Sequence, residues 1–176
     1  MAIAYERVGV GIEDLSMSQN YNVDTKKDVW GETFITTTTG DNTTDVTDIV
    51  FNPEYNLAKR IDTAVERDEE LSDLDGTFLI VKPYKRIGTD FETGKPLAWK
   101  QNASIVPTNF ANGNAALLMS ASLHWKGAKT FGTYDKDASG DKFTPETEAP
   151  AANEVHYKEG EAARKDFNIY YQYEAA

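Results

Sequence analysis

The strongest constraint on the fold is a run of alternating residues. Leu117, Met119, Ala121, Leu123 and Trp125 are apolar, and Leu118, Ser120, Ser122, His124 and Lys126 fall between them. Successive side chains of a strand point to opposite faces, so this spacing predicts a strand with one packed and one more polar face. Phe167, Ile169, Tyr171 and Tyr173 repeat the pattern against Asn168, Tyr170 and Gln172. Shorter stretches read the same way. Val8, Val10 and Ile12 alternate with Gly9 and Gly11, whose missing side chains weaken that strand. Trp30, Glu32 and Phe34 lead into Ile35 and the β-branched run Thr36–Thr39. Val46 to Phe51 and Gly76 to Lys82 add two more strands, and Pro83 restricts pairing after the second. Trp99 to Val106 is a further strand that ends at Pro107. Turn chemistry sits at Gly40–Asn42, Gly88–Asp90, Gly94–Pro96 and Asn112–Asn114. The stretch Asn109–Asn114 predicts a hairpin.

One helix interrupts the strands. Asn52 suits a cap, Pro53 the first helical position, and Glu54 a negative charge in the first turn. Leu57, Ala58, Ile61, Ala64 and Val65 then recur at helical spacing, with Lys59, Arg60, Asp62 and Glu66 on the other side. The pattern predicts a helix over 53–71, stopped at the Asp75-Gly76 turn. After Tyr134 the composition changes. Residues 136–164 are polar and rich in Ala, Glu and Pro, which predicts a long loop or arm outside the core. The expected division is therefore a β domain over 1–135 and a polar C-terminal arm over 136–176 carrying a terminal strand.

A chain of 176 residues has the length of one domain and can bury a sizeable core. Its 18 Lys and Arg against 29 Asp and Glu leave a net charge of −11. That balance argues against gripping nucleic acid or an anionic membrane surface, both of which need basic clusters. With no cysteine, disulfides, thiolate nucleophiles and Cys-ligated metals are excluded. The longest apolar runs, Phe78–Val81 and Ala115–Met119, fall far short of the ~20 residues of a membrane helix. The start has no basic stretch leading into an apolar one, so a soluble chain used as translated is expected.

Few residues suggest chemistry. Asp135, Asp137, Ser139, Asp141 and Glu146, with Gly140, fit the spacing of a calcium loop, in which oxygen ligands two apart converge on one hard cation. Flanking helices are missing: Gly127 and Gly132 interrupt the approach, Pro145 and Pro150 the exit, and Lys142 and Phe143 occupy the ligand half. The plainer reading is an acidic turn. Glu66, Asp68, Glu69, Glu70, Asp73 and Asp75 form an acidic run at the helix end, where they oppose the dipole. They read either as a partner-facing surface or as a solvated tail. His124 lies on the polar face of a strand and His156 in the arm, neither with an evident partner. Ser120 and Ser122 lack a nucleophile elbow. Tyr170, Tyr171 and Tyr173 read as core, subunit contacts or an aromatic platform for sugars. No active site and no cofactor are expected.

The order of segments carries a resemblance. Asp48-Ile-Val-Phe-Asn-Pro-Glu-Tyr-Asn-Leu-Ala-Lys-Arg-Ile-Asp-Thr-Ala-Val-Glu-Arg67 followed by Gly76-Thr-Phe-Leu-Ile-Val-Lys-Pro-Tyr84 resembles the middle of the major tail proteins, the tail tube subunits of long-tailed bacteriophages. Ala115–Leu123 with Gly127-Ala-Lys-Thr-Phe-Gly-Thr-Tyr-Asp135 looks like that family's final hairpin. The likeness spans residues 45 to 135. It implies a tail-tube-type β-sandwich or barrel with one flanking α-helix and extended loop and terminal arms. It also implies self-assembly into stacked, hexameric rings of a tail tube in the virion, built in the host bacterial cytoplasm. Implied partners are other copies of the chain and the tape measure, tail terminator and distal tail proteins. Double-stranded DNA would pass without specific binding, repelled by an acidic lumen. The candidate contacts between subunits and rings are Trp30, Phe34, Glu66, Asp68, Glu69, Glu70, Tyr170, Tyr171 and Tyr173, with segment 20–39 and the terminal arm. Two alternatives stand beside this: a calcium- or carbohydrate-binding β-sandwich module, and the inner-tube subunit of a contractile injection device.

Overall fold

The computed structural model describes residues 2–8, 15–18, 21–27, 33–39, 42–50, 54–67, 74–112, 117–138, 140–146, 154–159 and 167–175. Within them the chain is mainly β with one helix. The strands are β1 (Ala2–Val8), β2 (Leu15–Ser18), β3 (Tyr21–Lys27), β4 (Thr33–Thr39), β5 (Thr43–Val50), β6 (Asp75–Ile87), β7 (Lys95–Asn112), β8 (Leu117–Asp137), β9 (Gly140–Pro145), β10 (Val155–Tyr157) and β11 (Asn168–Ala175). The helix α1 (Asn56–Glu66) lies between β5 and β6. Nine strands share one antiparallel sheet in the order β1-β11-β6-β7-β8-β5-β2, with β10 beside β6 and β9 beside β8. Strands β3 and β4 pair with each other in a sheet of their own.

Strand β6 explains why four apolar residues run together. Phe78 and Ile80 belong to the larger core cluster, while Leu79 and Val81 belong to a second cluster on the opposite face. Side chains of a strand alternate, so an unbroken apolar run means burial on both sides. The larger cluster is roofed by α1 through Leu57, Ala58, Ile61 and Ala64, which meet Val46, Ile105, Met119, Leu123 and Ile169.

The second cluster shows that the sheet is curled. Tyr134 on β8 stacks on Tyr170 of β11 with ring centroids 5.5 Å apart. Two strands, β7 and β6, lie between them in the sheet, and at ~4.8 Å per strand a flat sheet would hold them ~14 Å apart. The Lys100 ammonium on β7 likewise sits 5.3 Å from the Tyr5 ring of β1 and 5.0 Å from the Phe143 ring of β9. Strands β9, β8, β7, β6, β11 and β1 therefore roll around Leu79, Val81, Ala98 and Tyr170 until β9 touches β1.

Two glycines permit the roll. Against β7, the register of β8 shifts from Asn102↔Lys126 to Lys100↔Thr130, so Gln101 stands opposite an excess of residues. Gly127, at φ +74°, begins that bulge. Beyond it, a Cβ at Gly132 would meet Phe143 ring atoms at 2.7 Å and the carbonyl of Thr144 closer still, so only glycine lets β9 lie so near β8.

Several expectations change. The helix predicted over 53–71 is observed over Asn56–Glu66, with Tyr55 at the cap position and no side-chain cap of its own. Asn52, Pro53 and residues 68–71 lie outside the described residues, and Glu54 precedes the helix in a turn. The cap comes instead from β1. The Glu6 carboxylate accepts hydrogen bonds from the backbone N–H of Asn56 at 2.7 Å and of Leu57 at 3.2 Å, and from the Asn56 side-chain amide at 3.0 Å. A carboxylate there satisfies orphan donors and complements the positive helix end. Strand β7 also outruns its predicted end at Pro107, which is accommodated by a register shift between Pro107 and Asn109. Pairing of β6 lapses around Pro83 and Tyr84 and resumes at Lys85 with β10 and at Arg86 with β7.

The segment expected as an arm, residues 136–176, contributes described strands to the main sheet. Strand β9 pairs with β8, β10 with β6, and β11 is inserted between β1 and β6. A lone alternating strand does not announce its neighbours, which is why β11 reads as part of an arm in the sequence. Ile169, Tyr170 and Tyr171 are buried there.

Two expected outcomes follow from these contacts. Glu6→Ala lowers the folding free energy by about 1–2 kcal/mol, the usual cost of a lost cap, read as a lower urea midpoint; an unchanged midpoint contradicts the cap. Truncation after residue 166 abolishes cooperative thermal unfolding, because it strips the partner of both β1 and β6; a truncated chain that melts cooperatively would restore the arm.

Candidate assembly surfaces

Unpaired backbone is the first functional feature of this fold. Among the described residues β1 pairs in the sheet with β11 and β2 with β5, so these two strands end the described part of the main sheet. Free edges are templates for another strand. On β1 the edge also carries an exposed Ile3. The β3–β4 ribbon adds more edge. Its register runs from Tyr21↔Thr39 through Val23↔Thr37 and Thr25↔Ile35 to Lys27↔Thr33. Two strands alone are marginal in water and need another surface to lean on.

Charge is the second feature. Residues 1–75 hold 17 acids and 6 bases, whereas residues 76–176 hold 12 of each. The whole net charge therefore resides in the part of the chain that supplies the two edges, the ribbon and the helix. The later strands instead present a basic and aromatic face. Lys82 on β6 and Lys129 on β8 each place an ammonium 5.1 Å from the centroid of the Trp99 ring on β7. The Trp99 ring is buried, and its Nε1–H has no acceptor among the described residues. Burial lowers the Lys82 pKa, and the nearby Lys85 charge adds to the effect. Lys85 lies over the Tyr157 ring, and Arg86 over the Phe91 ring while donating to the carbonyls of Phe91, Glu92 and Gly94. The signal was present in the sequence as Lys82-Pro-Tyr84-Lys85-Arg86, a basic-aromatic run in an acidic chain.

The sequence-derived candidates are placed as follows. Trp30, Asp68, Glu69 and Glu70 lie outside the described residues, and so does Ser139. Phe34 is in β4, paired with Lys26. Glu66 is the last residue of α1 and is exposed. Tyr170 and Tyr171 are buried and Tyr173 packs partly against the larger cluster, so these three do not form an exposed platform for sugars. Tyr171 ionises above the ordinary range because of its burial.

The calcium-type spacing falls on a hairpin instead of a loop. Asp137 pairs with Gly140, Lys136 with Asp141 and Asp135 with Lys142. Alternation therefore sends Asp135 and Asp137 to one face of the hairpin and Asp141 to the other. Asp135 forms an exposed ion pair with Lys95 at 2.9 Å, which lowers its pKa. Asp141 accepts a hydrogen bond from the Tyr134 hydroxyl. Among the described residues, no three His, Asp or Glu side chains gather as a metal site. His156 on β10 bonds through Nε2 to the carbonyl of Gly88 at 2.8 Å, a turn-holding role that the sequence did not disclose. His124 is half-buried on β8 between Thr43 of β5 and Ser104 of β7. Among the described residues no helix is long and apolar enough to cross a membrane.

Tyr134 carries a pH signature. Burial and then the bonds to Asp141 and Tyr170 raise its pKa above the ordinary tyrosine value. A raised pKa means the folded state holds the proton more tightly, so this contribution is intact below about pH 10 and fades at higher pH. Between pH 9 and 11 the wild type should lose more stability than Tyr134→Phe, measured by urea midpoints; equal losses would show that the hydroxyl is not held neutral.

Compared with known proteins, the sequence matches no family model and no curated protein.

Proposed function

We propose that this chain is a structural subunit whose work is to assemble with copies of itself into closed rings that stack into a tube, as the resemblance to phage tail tube subunits implies. The β3–β4 ribbon carries the reading. It is a two-stranded sheet outside the main ladder, which gains stability by docking on something larger. A neighbouring subunit supplies such a surface.

Further observations support this. The edges at β1 and β2 are the kind of unfinished sheet that a ring of copies completes. The curled half of the sheet, β9 to β1, is a segment of wall whose concave side is already filled by Tyr5, Tyr134, Phe143 and Tyr170. The surplus of carboxylates in residues 1–75 suits a conduit for double-stranded DNA, because like charge keeps phosphates from adhering. In this reading DNA is cargo in transit, and the tube serves in the virion tail beside the tape measure, terminator and distal tail proteins. No catalytic step is assigned to the subunit.

Electron microscopy of the purified protein, with sedimentation over a range of concentration, tests the proposal. Rings or tubes are expected. Replacing residues 20–40 by a short Gly-Ser linker should leave the main-sheet fold intact by circular dichroism and remove the tubes. A wild-type chain that stays monomeric under every condition would sink the assembly reading, and tubes formed without the ribbon would remove its role.

A further inference from the structure

A cleft of about 380 Å³ lies where the turn between β6 and β7 meets the end of β10, and it is lined by Phe91, Glu92, Tyr157, Lys158 and Glu159. That volume falls in the range of small-ligand sites. Two segments distant in the chain build its walls. Strand β10 sets Tyr157 opposite Lys85, and the Lys158 N–H donates to the carbonyl of Tyr84 at 2.9 Å. The turn is pinned from several sides. Asp90 accepts from the N–H and the hydroxyl of Thr93, both at 2.8 Å. The Gly88 N–H donates to the carbonyl of Glu154 at 3.3 Å, and His156 bonds through Nε2 to the carbonyl of Gly88 at 2.8 Å. Arg86 donates to the carbonyls of Phe91 and Glu92 and covers the Phe91 ring, 4.7 Å from its centroid. Walls held in this way are formed before a ligand arrives, which lowers the ordering cost of binding.

The lining specifies the chemistry of the occupant. Tyr157 is 52% exposed, an aromatic ring at the mouth of the cleft. The negative face of such a ring attracts the weakly positive C–H groups along one side of a pyranose. Glu92, Lys158 and Glu159 are exposed beside it. The carboxylates accept hydrogen bonds and the ammonium donates them, and a sugar hydroxyl can do either. Charge disfavours the simpler ions. An anion would meet Glu92 and Glu159, while a cation would meet Lys158 and the Lys85 and Arg86 groups already seated over the Tyr157 and Phe91 rings. With three charged residues among five, the lining is also too polar for a purely apolar ligand. We infer that this cleft binds a neutral sugar ring, stacked on Tyr157 and hydrogen-bonded by Glu92, Lys158 and Glu159. The buried tyrosines of β11 have no part in it. The site lies within one subunit and does not depend on the assembly proposed above.

Saturation-transfer-difference NMR of the full chain tests the inference, with the methyl glycosides of glucose, galactose, mannose and N-acetylglucosamine at millimolar concentration. Calorimetry then measures the strongest binder. Transfer to the ring C–H protons of at least one glycoside is expected, with an affinity that high salt leaves unchanged, because a neutral ligand has no charge to screen. Tyr157→Ala and Glu159→Ala should keep the wild-type circular dichroism spectrum and each weaken binding about 10-fold, the scale of one lost stacking contact or one charge-assisted hydrogen bond. Tyr157→Trp, which keeps an aromatic face, should retain binding. If Tyr157→Ala fails to fold, Glu159→Ala carries the test, since Glu159 is exposed beyond the end of β10. A wild type that shows no transfer to any of the four glycosides would overturn the inference. So would binding that persists undiminished in the folded Tyr157→Ala and Glu159→Ala variants. Tighter, salt-sensitive binding of glucuronic acid or glucosamine would overturn the neutral class. None of these results bears on whether copies of the chain assemble.

Discussion

Strand β6 is the constraint on which the rest of the fold depends. It is hydrogen-bonded to β7 on one side and to β11 and β10 on the other. Its four residues Phe78 to Val81 are buried on alternating faces and so belong to both clusters. At roughly 1.5–3 kcal/mol for burying each large apolar side chain, this tetrapeptide stabilises both sides of the sheet. One face demands a roof, which α1 supplies. The other demands that the sheet roll over, which the Gly127 bulge and the side-chain-free surface of Gly132 allow. Helix and curl are thus two answers to one doubly buried strand. Glu6 ties them together, since β1 lies on the rolled side of the sheet and its carboxylate caps the helix over the opposite face.

The parts of the fold legible in the sequence were those set by local periodicity. Met119 to Trp125 alternates as it reads, and the apolar stripe Leu57, Ala58, Ile61 and Ala64 is the buried face of α1. What escaped was decided by residues distant in the chain. The helix start is set by Glu6, 50 positions upstream of Asn56, and no local pattern around Asn52 can reveal it. The tyrosines of β11 look alike on paper as platform, interface or core. They are assigned to the core only because β1 and β6 take up its two edges. The calcium-type spacing misled for a physical reason. Ligands at every second residue also describe one face of a strand, so the hairpin of β8 and β9 satisfies Asp135 and Asp137 and then turns Asp141 away. The basic and aromatic face was visible only in part: the run from Lys82 to Arg86 stands out by charge, whereas Trp99 and Lys129 join it only through the β6–β7–β8 register.

Segregated charge bears directly on how copies of the chain would associate in the assembly proposed above. Copies that each carry −11 repel one another at a distance, and assembly does not alter that total. Association becomes possible when opposite charges approach within a few ångströms and like charges stay apart by more than the Debye length, about 8 Å at physiological salt. In the assembly proposed above, a placement that sets acids of one copy against lysines of the next would lower this repulsion. The same segregation sets the direction of growth. An acidic surface cannot dock on its own kind, so each copy must present a different side to the next. Strands β1 and β2 lie at opposite ends of the described ladder, so an edge contact between copies would carry a similar polarity. Under the assembly proposed above, backbone and charge would both favour contact between unlike surfaces of neighbouring copies.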